Sequence, residues 1–482
     1  MAQVDIAVGG RSIRYNSGNT DCSGSVTIAP TGALIVDGQV RRTTNGRLFT
    51  EDELQPTQIE DLTIGSDESN GNGTLIFDNS EGESQAIVQY YSKANTNEDN
   101  VWNWQYMAVP FNDNSSAYRN YYDSYLYRWA ENCSGWEVVP NGGEVYPWVG
   151  YTITQEGNKT YTMDGTLVET GEQTFTVPAG KNLVLGNSWT APIQVKQFTD
   201  DDFAHMSKNV YLFNTGYDKE GTGTFDKADG RYEGGTYVTI PIHSSPYTGD
   251  SLISSLQAFI VYAKADEGGG TFTLDYDRHV RPARSTDKVN AGPMHAPKRG
   301  GVINDKPAVL KVWASGSRYD DRLVVLERED FSTGLDEGWD GNKRVAGNSS
   351  PLIFAVTDNG REAVSAIPTM EGTLIGFWAG EDNEYTLHFE YDEEDELYLL
   401  DLDNNTYTPV NSNSTYVFTV PDKKAHNRFI LTRIAPDPVA TGVEETQANE
   451  KPEAKAIKFL KDEKVFIFVN GKLYDATGKI VK

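Results

Sequence analysis

The sequence predicts an all-β protein, and three observations support this prediction. β-Branched and aromatic residues alternate with polar residues over runs of strand length. Turn-forming Gly, Asn, Asp and Pro separate these runs about every eight to twelve residues. Lys-rich helical stretches are nearly absent before the C-terminal tail. Because 482 residues exceed one ordinary domain, we expect roughly two to four β-rich units, each with its own core.

Residues 1–94 contain short alternating runs separated by Gly, Asn or Asp. The clearest runs are Ser25–Val40, Ile59–Gly65 and Gly73–Asp78. They fit the rungs of a short parallel β-solenoid, in which each rung buries its inward side chains against the next rung. The repeat is too degenerate to define a period, so an ordinary antiparallel sandwich remains the alternative.

Two β-sandwich domains are expected after this solenoid-like segment. Residues 95–281 carry longer, aromatic-rich strands, and residues 305–435 restart a strand pattern. Between them, residues 282–304 contain prolines and polar residues without apolar periodicity, which predicts a linker. Residues 436–455 are also polar and Pro-flanked, which predicts a second exposed linker.

The last segment, residues 456–482, is expected to form a small β-hairpin module. Its two short strands, residues 464–469 and 472–475, are joined by Asn470 and Gly471. Asn-Gly is the strongest two-residue hairpin signal, because both positions of a type I′ turn need positive φ angles. The chain then continues through Thr-Gly-Lys-Ile-Val-Lys.

This tail resembles the C-terminal sorting module of Bacteroidetes-type cell-surface proteins that the type IX secretion system exports. In that module an apolar strand leads through Asn-Gly to Tyr-Asp and to a Gly-Lys/Arg-x-Val ending. The matching residues here are Val469, Asn470, Gly471, Tyr474, Gly478 and Lys479. The alternative is a small terminal hairpin that packs on its own domain.

The body of the chain is similar to the same group more loosely. A repetitive β-segment passes into a strand of the Trp104–Pro110 type, and Gly186-Asn187 looks like a turn of the same domain. The resemblance implies a secreted, structural or adhesin-like protein, attached to the outer membrane at the cell surface, whose tail binds the type IX machinery. Host or bacterial glycans or proteins are the further partners expected. Since the N-terminus lacks a signal-peptide pattern, this interpretation requires that a leader has been removed.

Charge and hydropathy exclude several other classes. The chain has 42 Lys and Arg against 70 Asp and Glu, a formal net charge of -28, which repels phosphate backbones. Nucleic acid is therefore not an expected partner. No run approaches the roughly 20 apolar residues that span a bilayer, so no transmembrane segment is expected.

No catalytic motif emerges from the sequence. Nucleophile-elbow, zinc-protease and phosphate-loop patterns are absent, and the six His residues do not fall at metal-ligand spacing. We therefore expect no enzymatic activity and no organic cofactor. The alternative function is a carbohydrate-binding or polysaccharide-degrading extracellular protein, because a glycosidase needs only two carboxylates that the fold brings together.

Three sets of residues are candidates for binding or cross-linking. A glycan-binding face would use Trp102, Trp104, Trp129, Trp136 and Trp148, although core packing explains the same residues. A Ca²⁺ site would use Asp336, Glu337 and Asp340 around a turn at Gly338, or one of the acidic runs 200–202, 392–396 and 401–405, although such runs also form solvated faces. Cys22 and Cys133 either form a disulfide between the first and second domains or remain buried thiols.

Overall fold

A computed structural model describes most of the chain. The described residues are 6–8, 13–16, 26–29, 33–39, 41–43, 54–56, 62–67, 71–94, 101–112, 121, 123–215, 232–233, 235–249, 252–280, 306–317, 319–347, 349–421, 425–434, 457–461, 464–469 and 472–479. They form an all-β protein, which confirms the predicted fold class. Its described helices are short: α1 (Ser245–Thr248), α2 (Tyr276–His279) and the 3-10 turns Val195–Gln197 and Asp200–Asp202. The chain divides into two compact units, Met1–Arg299 and Gly300–Lys482.

The first unit begins with strands that alternate between two parallel ladders. One ladder has the order β1 (Ile6–Val8), β3 (Val26–Ile28), β7 (Leu62–Ile64) and β11 (Gln85–Ser92), and antiparallel β17 (Lys159–Thr166) closes it. The other has the order β10 (Thr74–Asp78), β4 (Ala33–Gln39) and β2 (Ile13–Asn16). Two small hairpins pair β5 (Arg41–Thr43) with β6 (Leu54–Pro56) and β8 (Ser66–Asp67) with β9 (Gly71–Asn72).

Equivalent inward residues stack from strand to strand in the first ladder. Ile28 is in register with Ile64, and Ile64 is in register with Val88. All three are buried, whereas Thr27 between the inward positions is exposed. This period-two alternation explains why the sequence reads as short strands. The solenoid arrangement itself stays a prediction.

The rest of the first unit is built mainly from antiparallel sheets. The strands, in the order of their sheets, are β13 (Gln105–Met107), β16 (Tyr151–Gln155), β14 (Ser124–Trp129) and β15 (Trp136–Val138); β18 (Glu172–Val177), β27 (Gly270–Asp275) and β21 (Phe203–Ala204); β19 (Asn182–Gly186), β26 (Ala258–Tyr262), β22 (Asn209–Asn214) and β24 (Thr236–Pro241); β20 (Ile193–Gln194) and β25 (Leu252–Ile253); and β12 (Val101–Trp102) with parallel β23 (Tyr232–Glu233).

Cores of the first unit combine residues from both sides of the boundary predicted after residue 94. One core joins Ile64 and Val88 with Tyr151 and Met163. β11 also pairs along its whole length with β17, which lies well beyond the boundary. These two segments therefore share a sheet and a hydrophobic core. The predicted domain division as a whole stays a prediction, and both predicted linkers lie outside the described residues.

A single large sheet organises the body of the second unit. Its strand order is β36 (Thr406–Pro409), β35 (Tyr398–Asp401), β38 (Ala425–Thr432), β33 (Leu374–Trp378), β31 (Leu352–Thr357), β32 (Gly360–Ile367), β29 (Asp320–Glu327), β28 (Ala308–Ser315), β34 (Glu384–Glu390) and β37 (Thr415–Thr419), with β30 (Gly341–Asn342) beside β32. Only the β29–β32 pair is parallel among these described strands. Its main core includes Ile353, Phe377 and Phe429, which are fully buried.

The C-terminal tail forms a small antiparallel sheet of its own. Its order is β39 (Ile457–Lys461), β40 (Lys464–Val469) and β41 (Lys472–Asp475). β40 and β41 have the bounds that the sequence predicts, and β39 adds a strand that was not predicted.

Candidate functional site

The tail module ends in a tight turn organised by Asp475. Val469 pairs with Lys472, so the β40–β41 connection is two residues long. After β41, the Asp475 Oδ1 atom accepts hydrogen bonds from the backbone N–H groups of Thr477 and Lys479, at 2.9 and 3.0 Å, and from the Thr477 hydroxyl at 2.6 Å. These hydrogen bonds, that of the Thr477 side chain first, hold the pKa of Asp475 below its usual value.

Gly478 completes this turn in the left-handed region. Its φ angle is +81°, and its N–H donates to the Asp475 carbonyl at 2.9 Å. A Cβ added at Gly478 would meet no atom within 4 Å, so the turn requires glycine for backbone reasons and leaves the adjacent surface open. Of the predicted sorting residues, Tyr474 lies half-buried on β41, and Gly478 and Lys479 lie in the turn. Val469 ends β40, and Asn470 and Gly471 lie outside the described residues.

Two of the tryptophans predicted to bind glycans belong to a half-buried aromatic cluster formed by Tyr106, Trp129, Trp136, Phe213 and Tyr237. The Trp129 and Trp136 rings are 5.2 Å apart with an interplanar angle of 82°. The ring centroids of Trp136 and Tyr106 are 5.2 Å apart, with an interplanar angle of 68°. The Trp129 Nε1–H also donates to the Asn182 carbonyl at 3.1 Å. These edge-to-face contacts are the geometry of packed aromatic residues, since a platform for a sugar ring needs an open ring face.

The remaining predicted tryptophans lie elsewhere in the first unit. Trp104 contacts Tyr127 edge-to-face, with centroids 5.4 Å apart. Trp148 contacts the buried Trp189 at 5.0 Å and 79°. Trp102 lies on β12, but its side chain is outside the described residues. The structure therefore does not gather the described tryptophans onto one flat face, and glycan binding stays a prediction.

The acidic loop predicted to hold Ca²⁺ uses its carboxylates internally. Asp336 Oδ2 accepts a hydrogen bond from the Ser332 N–H at 2.8 Å. Asp340 is buried, and its two oxygens accept from the N–H groups of Asp336 and Ala366, both at 2.6 Å. Burial raises the pKa of Asp340 to about 7, although the Ala366 hydrogen bond opposes this shift. Glu337 is exposed.

Among the described residues, no group of three or more His, Cys, Asp or Glu side chains is arranged to hold a metal ion. The acidic run 200–202 is occupied by ion pairs instead. Asp200 pairs with Lys208 at 2.6 Å, and Asp202 pairs with Arg278 at 2.7 Å. Burial opposes ionisation of Asp202, but the neighbouring His279 ring, 3.4 Å away, and the hydrogen bonds from Arg278 hold its pKa well below the usual value. Ca²⁺ binding stays a prediction.

The sequence analysis missed two buried ion pairs in the second unit. Asp401 on β35 meets Arg428 on β38, with an Arg428 Nη2–Oδ2 distance of 2.8 Å and both side chains at most 4% exposed. Asp321 on β29 meets Lys343, with an Nζ–Oδ2 distance of 2.6 Å and side chains 3% and 1% exposed. A charged residue inside a run of buried strand residues was the signal in the sequence that could have indicated these ion pairs. It does not identify the partner, because the two members of each pair are far apart in sequence.

Cys133 carries a free, buried thiol, and burial raises its pKa. Cys22 lies outside the described residues, so the proposed pairing of these two cysteines stays a prediction. In the part of the chain that the structure describes, no helix is long and apolar enough to cross a membrane.

The chain is similar to the minor fimbrium subunit Mfa5 of Porphyromonas gingivalis. The two sequences are 26% identical over 424 residues, which cover 81% of this chain and 34% of Mfa5. The chain thus spans about a third of the length of that relative. No protein-family model matches the chain, and no solved structure matches it.

Proposed function

We propose that this chain is a structural or adhesin-like protein of the cell surface of a Bacteroidetes bacterium. The observation that carries the proposal is the similarity to a fimbrium subunit, because it extends over most of this chain and is not confined to one motif. An all-β body supports the same role, since tandem β-units are a common framework for extended surface proteins. The proposal includes no catalytic step.

The fine architecture belongs to the same proposal. The alternating parallel ladders of residues 6–92 support a short β-solenoid. A sandwich is supported because Phe418 on β37 and Phe429 on β38, strands far apart in the order of the large sheet, pack in one core with ring centroids 5.2 Å apart. In a surface protein these segments would act as stiff spacers. Glycans or proteins of the host or of other bacteria would be the ligands of such a spacer.

We further propose export by a type IX-like route through residues 456–482, followed by attachment to the outer membrane. The tail has its own sheet, β39–β40–β41, and does not extend the large sheet of the second unit. Its terminal turn exposes Ala476, Thr477, Gly478 and Lys479. An exposed turn on a small separate sheet can bind another protein without disturbing the body of the chain.

The test is deletion of residues 456–482 in the bacterium that produces the protein. We expect the shortened chain to keep the melting of its body but to disappear from the cell surface, as measured by antibody binding to intact cells. Normal surface amounts of the shortened chain would contradict the sorting role. Loss of the cooperative melting of residues 1–435 would instead show that the tail is part of the last domain.

A pair of glycine variants tests the turn specifically. Gly478→Val forces a β-branched residue to φ +81°, and Gly157→Val does the same at φ +69°, in a turn of the first unit. Neither glycine has an atom within 4 Å of an added Cβ, so the two changes are matched in sterics. We expect only Gly478→Val to reduce export. Equal reduction by both variants would indicate a general folding defect.

A further inference from the structure

The strand β37 forms one end of the large sheet of the second unit. One side of β37 pairs antiparallel with β34, and in the part of the chain that the structure describes no strand pairs with its other side. The Val420 N–H, just after β37, donates to the Asn383 carbonyl at 2.8 Å. Because an antiparallel strand directs alternate residues to its two neighbours, the even positions of β37 face β34. Thr415, Val417 and Thr419 therefore direct their backbone N–H and C=O groups outward, to the open side.

This edge lacks the devices that usually prevent pairing with another chain. Edge strands of natural proteins commonly carry charged residues, prolines or bulges for this purpose. β37 reads Thr-Tyr-Val-Phe-Thr, and residues 404–421 contain no charged residue, although 23% of the chain is charged. Val417, at the centre of the strand, is 55% exposed. The strand at the other end of the same sheet, β36, differs because it ends in Pro409.

The charge of the chain indicates what pairs with this edge. With a formal net charge of -28, two copies repel each other over most of their surfaces, whereas a basic partner is attracted to the charged surfaces. An uncharged edge gives a basic partner no electrostatic advantage, but it lets two copies meet without opposed like charges. The acidic residue beside β37, Glu384, lies opposite Thr419 on β34. It is thus two strand spacings, about 10 Å, from a strand added to β37, which is about one Debye length at 0.1 M salt.

We propose that β37 pairs with β37 of a second copy of this chain, antiparallel about a twofold axis at Val417. In this register Val417 lies opposite Val417 of the second copy, and Thr415 lies opposite Thr419. The outward backbone groups of these residues then exchange hydrogen bonds between the copies. The Thr419 carbonyl accepts from Arg428 Nη1 at 2.8 Å and keeps a second lone pair for the other copy. Both copies use the same surface, as a twofold interface requires.

The register also determines how strong the association is and how it depends on salt. Cross-strand Val–Val and Thr–Thr pairs stabilise antiparallel strands. Five residues from each copy bury less than the roughly 1,200 Å² of a standard interface, so the dimer is weak and forms at high protein concentration. Salt strengthens it, because salt screens the repulsion between two acidic chains. A partner held by opposite charge would show the reverse dependence. The proposal does not depend on the surface role.

Sedimentation velocity of the full chain, at increasing protein and salt concentrations, tests the proposal. We expect the wild type to pass from monomer to dimer, with a lower dissociation constant at higher salt. Val417→Lys places two like charges opposite each other at the axis and should raise that constant roughly tenfold or more. Val345→Lys is the matched control, because Val345 is a 47% exposed valine of the same unit that lies outside the described strands. It should dimerise like the wild type.

A mixture of two variants separates pairing from folding. Val417→Glu alone should weaken the dimer as Val417→Lys does. Mixing the two variants places lysine opposite glutamate at the axis and should restore dimers, which a folding defect in either variant would prevent. A wild type that stays monomeric at every protein and salt concentration would overturn the proposal. So would dimers that persist in both single variants, equal weakening by Val345→Lys, or a mixture that does not recover.

Discussion

Replacing Asp401 by alanine removes the centre of a buried polar network in the second unit. The Asp401 carboxylate accepts hydrogen bonds from Arg428 Nε and Nη2, at 3.1 and 2.8 Å, and from the Tyr416 hydroxyl at 2.7 Å. Arg428 also donates to the Thr419 carbonyl at 2.8 Å and lies over the ring of Phe418. After the substitution this guanidinium stays buried and keeps as its counter-ion, among the described residues, only the Asp403 carboxylate, whose Oδ2 lies 3.4 Å from Nε and whose side chain is 34% exposed.

The expected cost follows from the burial of the pair. Removing one partner of a buried ion pair typically destabilises a protein by about 3–5 kcal/mol, and the remaining contact of Arg428 with Asp403 places the expected cost at the lower end of that range. The control is Glu390→Ala, which removes the exposed partner of Lys311 in the same sheet. An exposed pair contributes about 0–1 kcal/mol, so this control should change little.

Hydrogen–deuterium exchange of the full chain, read by peptide, measures this difference in the second unit alone. We expect peptides from β35 and β38 to exchange roughly 100-fold faster or more in Asp401→Ala, which corresponds to about 3 kcal/mol, and peptides of the first unit to be unchanged. If Asp401→Ala and Glu390→Ala gave equal, small effects, the network would contribute nothing and the reasoning would be refuted.

Two further predictions concern other buried polar groups. Burial raises the pKa of Asp340 to about 7, against 3.8 in the unfolded chain, so the folded state binds this proton more tightly. The protonated carboxyl therefore contributes its full stability below about pH 4, and this contribution is lost as the pH rises through 7. Asp340→Asn should therefore reduce the fall in melting temperature of the second unit between about pH 4 and pH 7, the interval between the two pKa values, and an unchanged fall would contradict this assignment. Asn187 is fully buried, and its Nδ2 donates to the carbonyls of Ala191, Ile253 and Ser254. Asn187→Ala should destabilise the first unit by about 3 kcal/mol in calorimetry, since it removes the amide donor from these buried carbonyls, of which Ser254 keeps the Gln257 N–H, whereas a loss under about 1 kcal/mol would show that water replaces the amide.

Alternation of apolar residues was sufficient to locate many strands. Within residues 305–435, where the sequence predicts a strand pattern, the alternating runs that begin at Ala308, Arg322 and Tyr385 lie in β28, β29 and β34. Such prediction succeeds because one face of each strand must be buried, which imposes a period of two on the sequence. The tail strand β39 was missed because no turn-forming residue separates Ile457–Lys461 from residues 453–456 before it.

Pairing between distant segments could not be predicted in the same way. The β11–β17 pair joins residues that the composition assigned to different domains. It could not be predicted, because the register between two strands is not encoded locally in a single sequence. Arg428 shows a second limit. The β33–β38 register passes from Ile375–Phe429 to Gly376–Asn427, so Arg428 is the extra residue of a bulge. A bulge changes the direction of a side chain, and strand alternation therefore did not reveal that Arg428 is buried.

The acidic loop illustrates why local motifs mislead. Asp336, Glu337 and Asp340 have the composition of a Ca²⁺ loop, but the fold turns Asp340 inward to accept backbone N–H groups. The same oxygen atoms satisfy either role, and only the three-dimensional path of the chain decides between them.

The location of the protein on intact cells tests the central proposal most directly. Antibodies against the purified chain, conjugated to gold, would be applied to intact and to permeabilised cells of the producing bacterium and observed by electron microscopy. A surface protein predicts dense labelling of intact cells, with little increase after permeabilisation. Labelling that occurs only in permeabilised cells would contradict the proposed function.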